Sequence, residues 1–70
     1  MMTAQEFRMI RKQLGLSQEA LAGSLGYSRN SVARWETNRR PIRAIVALRM
    51  TQLLTEHLRK EADHDAPAAL

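Results

Sequence analysis

The sequence predicts an all-α domain of four helices, and three observations predict it. Apolar residues recur every three or four positions rather than every second one. Hydroxyl residues able to cap a helix, Thr3, Ser17 and Ser28, stand directly before such runs. Gly15 and Gly26 stand directly after two of them, where a chain leaves a helix through a left-handed residue. Nothing in the sequence reads as a strand or an internal repeat.

Thr3 followed three residues later by Glu6 is a capping box. Phe7, Ile10 and Leu14 then recur at helical spacing up to Gly15, which gives a first helix over about Ala4–Leu14. Ser17 caps a second helix, Gln18–Leu25, whose Ala20, Leu21, Ala22 and Leu25 stop at Gly26. Only Gly26 and Tyr27 separate that helix from Ser28, the cap of a third over Arg29 to about Glu36. In the third helix Val32 and Trp35 lie three apart on one face, while Arg29, Asn30, Ala33 and Arg34 point elsewhere. Thr37–Pro41 is a loop, with Asn38 the residue best suited to a left-handed backbone. From about Arg43 to Lys60 nothing interrupts a fourth helix. There Val46, Ala47, Met50, Leu53, Leu54 and Leu58 fall within an arc of about 140°, with Ile45 and Leu48 on the other side. That is more apolar surface than one contact covers. The expected domain spans 1–60 and ends in the helix over about 43–60, and 61–70, with Pro67 and small or acidic residues, is expected to be a flexible tail.

Seventy residues make one small domain and exclude a multidomain enzyme with a built cleft. Hydrophobic residues at 44% and charged residues at 26% are the balance of a soluble globular chain. A chain this short buries only about 60% of its unfolded surface, so its core is marginal. Cysteine is absent, which removes disulfides and thiolate chemistry, fits a reducing cytoplasm, and leaves self-association as the expected further source of stability. The longest wholly apolar run is Ala44–Leu48, so no membrane or targeting segment is expected, and the location expected is cytoplasmic.

Charge is uneven along the chain. Met1–Arg49 carries nine basic and three acidic residues, whereas 50–70 carries two basic and four acidic. Within Arg29–Arg49 six arginines face one glutamate. Such an arginine block is the electrostatic footprint of a polyanion binder, although a basic face kept for solubility has the same charge. Helix pairing separates the two. Two short helices joined by a tight turn, the second presenting polar side chains, is the geometry that sets one helix into the major groove of DNA. Small Ala22 falls where the helices cross, Gly26 where the turn must bend, and Val32 and Trp35 where the third helix must be buried. An ordinary helical hairpin does not need this combination.

At these residues the chain resembles the phage repressor and Cro family, also called the XRE family. The resemblance runs almost without gaps over FRMIRKQLGLSQEALAGSLGYSRNSVARWETNRRP, Phe7–Pro41, half of the chain. It implies a compact four-helix, lambda-repressor-like domain that binds double-stranded DNA. By position it implies that Gln18 bonds a phosphate, that Ser28, Arg29, Asn30 and Arg34 meet DNA, and that Arg11 and Glu36 form a partly buried ion pair. Asn38 stands where the family usually has glycine; asparagine adopts the same backbone.

Chemistry assigns roles within that set. An arginine fork pairs with guanine O6 and N7 and an asparagine amide with adenine N6 and N7, so Arg29, Asn30 and Arg34 are candidate base contacts and the half-site is expected to contain guanine. Arg29 and Arg34 are rotated by about 140° and reach different base pairs. Ser28 at the helix start suits a phosphate. Tyr27, through its hydroxyl, and Ser31, Asn38, Arg39, Arg40 and Arg43 are the other candidate phosphate contacts. Trp35, spaced three from Val32, reads as core. His57 and His64 are seven apart and lack the spacing of a helical metal pair, and no serine has a recognisable histidine and acid beside it. Neither an enzyme nor a metal or other cofactor is therefore expected.

One recognition helix covers too few base pairs to find its site in a genome, which argues for a homodimer on an inverted repeat with half-sites about 34 Å apart. Leu53, Leu54 and Leu58 are the candidate dimer seam, the other reading being that all three pack within the monomer. The function expected is a sequence-specific regulator of transcription, most simply an autoregulating repressor. Small phage or mobile-element repressors, antitoxins and anti-CRISPR-associated regulators all resemble this layout. The alternative is an antitoxin or other interaction module that works by covering a toxin or another protein partner through the fourth helix. An RNA-binding role is weaker, since no exposed aromatic beyond Tyr27 offers a stacking platform.

Overall fold

The computed structural model describes residues 1–65, which form α1 (Ala4–Gln13), α2 (Gln18–Leu25), α3 (Arg29–Glu36) and α4 (Ala44–Asp65), with no strand among them. Each of the first three starts on the hydroxyl the sequence offers. Thr3 Oγ1 accepts from the Glu6 backbone N–H at 3.0 Å while Glu6 Oε1 accepts from the Thr3 N–H at 2.9 Å. Ser17 accepts from Ala20 at 3.0 Å and Ser28 from Ser31 at 3.2 Å. These bonds satisfy N–H groups that the first turn of a helix leaves without partners. The Thr3 backbone N–H, and after it the Thr3 hydroxyl, hold the Glu6 carboxyl below the usual glutamate range.

All three helices also end through a residue with positive φ: Gly15 at +72°, Gly26 at +78° and Asn38 at +63°. In each exit the next N–H reaches back to the last turn: Leu16 to the Arg11 carbonyl at 3.2 Å, Tyr27 to Ala22 at 2.9 Å and Arg39 to Arg34 at 2.9 Å. Asparagine tolerates this conformation, which is why Asn38 can stand in for glycine there.

Three boundaries differ from the sequence expectation, the smallest being the start of α4 at Ala44 rather than Arg43. Leu14 caps α1 rather than belonging to it, its N–H still bonded to the Ile10 carbonyl. Glu61–Asp65, expected in the tail, extend α4 instead. That segment contains neither glycine nor proline, and Glu61 pairs with His57 one turn earlier at 3.2 Å. Pro67 and the remainder of the expected tail, 66–70, lie outside the described residues.

The core is where the four helices meet. Phe7 of α1, Leu21 and Ala22 of α2, Val32 and Trp35 of α3, and Val46 and Met50 of α4 are all buried. Ile42, in the loop before α4, closes the core from below; a single apolar residue between Pro41 and Arg43 carries no periodicity by which a sequence reading could assign it. α3 packs on α1 and α2, and α4 on α1. Trp35 fixes α3, its ring meeting Phe7 edge-on at 5.7 Å and Tyr27 at 5.1 Å between centroids.

A Cβ added at Gly26 meets nothing within 4 Å, so Gly26→Ala tests backbone conformation alone. It is expected to lower stability by about 1 to 2 kcal/mol in urea unfolding, with the fold retained.

Candidate nucleic-acid interface

α3 is only eight residues long, and its sides are sharply divided. Val32, Trp35 and Glu36 are buried, whereas Arg29, Asn30 and Arg34 are exposed on the outer side. A short helix with one buried side cannot roll about its axis without exposing Trp35. The direction of the three outer side chains is therefore set by the core.

The ionic contact beneath α3 adds to this. Arg11 Nε and Nη2 donate to the two Glu36 carboxylate oxygens at 2.5 and 3.0 Å, a fork-on-fork pair. Arg11 Nη1 donates to the Leu16 carbonyl at 2.9 Å, which adds the loop between α1 and α2 to the same contact. Gln18 Nε2 donates to Glu36 Oε1 at 3.2 Å. Glu36, only 7% exposed, thus receives three hydrogen bonds from side chains of two other helices. The structure brings Arg11, Gln18 and Glu36 into one network. No sequence spacing indicates the contribution of Gln18, because its partner stands 18 residues away in the chain. One N–H of its amide is used here, and the second has no partner among the described residues.

At the start of α3 the Ser28 and Ser31 hydroxyls lie 3.1 Å apart, one donating to the other, so the O–H of the accepting serine is left to donate outward. Tyr27 is 40% exposed, its ring against Trp35. Tyr27, Arg40 and Arg43 line a single concavity of about 480 Å³ with Trp35 and Pro41. Asn38 and Arg39 are exposed on the loop beside it. The Trp35 indole N–H is buried with no partner among the described residues, a feature that composition and spacing do not reveal.

The candidate seam residues separate. Leu53 is half-buried and packs against the domain's own core, Leu54 is half-buried, and Leu58 is 45% exposed. Nearer the start of α4, Ile45 and Leu48 are 57% and 53% exposed. Among the described residues no helix is long and apolar enough to cross a membrane, and no cluster of three or more His, Asp or Glu suits a metal ion.

A family model for the helix-turn-helix matches residues 7–60. The chain belongs to the helix-turn-helix family. α2 and α3 are the two helices of the name, Gly26 to Ser28 the turn, and the match takes in most of α1 and most of α4, running past the Phe7–Pro41 stretch that resembles the phage repressor and Cro type. This helix-turn-helix protein is accordingly a DNA-binding regulator of transcription. No curated protein and no solved structure matches the chain.

Removing one partner of the buried pair leaves the other charge uncompensated. Arg11→Met in the helix-turn-helix protein is expected to destabilise it by about 3 kcal/mol, and Arg11→Met with Glu36→Met by clearly less. Urea unfolding of both variants against the wild type measures the difference.

Proposed function

We propose that this helix-turn-helix protein is a sequence-specific repressor that binds an inverted repeat as a homodimer and acts on its own promoter. The observation that carries the reading is the exposure of Arg29, Asn30 and Arg34 on one side of a helix whose other side is locked by Trp35 and Glu36. Guanidinium and amide groups held in a fixed direction can discriminate base edges, whereas the same groups on a mobile segment give charge attraction only. In this reading Arg29 and Arg34 read guanines and Asn30 an adenine. Phosphates are held by the free Gln18 N–H, by the spare hydroxyl of Ser28 and Ser31, by Tyr27 with Arg40 and Arg43 around their shared concavity, and by Asn38 and Arg39 beside it.

Self-association is proposed through α4. Leu53 is partly committed to the core, so Leu54 and Leu58 carry the seam, with Leu58 the more accessible. A two-fold axis there repeats α3 along the duplex and doubles the specific contacts, which one recognition helix needs in order to compete with nonspecific DNA. Repression follows from occupancy: a dimer seated on a promoter excludes other proteins from it.

A gel shift on the DNA upstream of its own gene tests the reading. At about 150 mM salt the protein is expected to prefer that DNA over random duplex, and no preference would refute the proposal. Arg34→Ala is expected to lose about 1 to 3 kcal/mol at a single base position, whereas Arg40→Ala weakens binding to every sequence and lowers the salt slope by about one. Leu58→Glu is expected to leave the monomer folded and to shift sedimentation toward the monomer mass.

A further inference from the structure

The outer side of α3 presents three exposed polar groups and, half-buried between them, one methyl. At about 100° per residue, Ala33 lies about 40° round the axis from Arg29 and about 60° from Asn30, between the two and one turn further along. Its position is well fixed. The Ala33 carbonyl accepts from the Thr37 backbone N–H at 3.0 Å and from the Thr37 hydroxyl at 2.9 Å, which closes the last turn of the helix. Ser31, the other short side chain in the middle of α3, is turned back onto Ser28.

We infer that Ala33 is a specificity residue, its methyl packing against the 5-methyl of a thymine in the half-site. The inference rests on the DNA-binding reading above and deepens it. When Arg29 and Asn30 reach the edges of neighbouring base pairs, the Cβ between them is carried toward the floor of the groove. It can neither donate nor accept a hydrogen bond. Among the groups that the four base pairs display in the major groove, the thymine methyl is the one an alanine side chain favours by contact. A purely local role for Ala33, as a good helix former, leaves base preference untouched and is distinguished by experiment.

The test starts from a pool of random duplexes, from which the full-length protein selects a preferred sequence. That sequence is then remade with each thymine in turn replaced by uracil, which removes only the 5-methyl. One thymine per half-site is expected to weaken binding about fourfold when replaced, the ratio that burial of one methyl supplies. In Ala33→Gly, which removes the Cβ, the same replacement is expected to change binding by less than the error of the measurement, and in Ala33→Ser, which keeps the Cβ but makes it polar, to weaken binding by less than in the wild type. Uracil tolerated at every thymine overturns the inference while leaving DNA binding intact. A penalty that persists undiminished in both variants also overturns it, assigning the methyl to another side chain. A pool that yields no enriched sequence overturns this inference together with the DNA-binding reading.

Discussion

The arrangement depends most on the contact of Arg11 with Glu36. A carboxylate taken out of water costs several kcal/mol unless it is both paired and hydrogen-bonded, and Glu36 is buried at the end of the helix that faces outward. Arg11 supplies the charge and Gln18 a further donor. Because these donors come from α1 and from the first turn of α2, the contact is satisfied only when all three helices hold their relative positions. Hydrophobic burial of Phe7, Leu21, Val32 and Trp35 provides the larger favourable contribution but has little directional preference. The ionic contact adds the direction. A recognition helix that could slide by one residue would present different side chains, and the fork on Glu36 resists that slide.

Much of this was legible in the sequence, for physical reasons. Helix starts and ends are local: a hydroxyl followed by free N–H groups, or a glycine or asparagine able to adopt positive φ, acts within four or five residues and needs no tertiary partner. Thr3, Ser17, Ser28, Gly15, Gly26 and Asn38 all behave as their chemistry suggests. The inner side of α3 was equally readable, since Val32 and Trp35 repeat at helical spacing. What escaped is non-local. Ile42 fills the core from a loop, where no period applies. Gln18 reaches Glu36 across the fold while standing where a phosphate contact is also implied. α4 continues past Lys60 to Asp65 because that acidic stretch contains no residue that breaks a helix, Pro67 being the first.

The leucines of α4 show how far periodicity can go. A helical wheel places Leu53, Leu54 and Leu58 on one side, but it cannot say where along the helix the domain's own core ends. The structure puts that limit beyond Leu53, which still touches the core, and before Leu58, which does not belong to it. The division between inner packing and outward surface thus falls within six residues whose three leucines look equivalent by composition.

The chain contains one tryptophan, one tyrosine and one phenylalanine, and the Trp35 ring meets both of the others edge-on. Every ultraviolet chromophore of the aromatic kind therefore reports from the same place, the seam between α1 and the inward side of α3. Emission or near-ultraviolet dichroism from this protein is consequently a direct gauge of whether the recognition helix is seated, undiluted by signals from elsewhere.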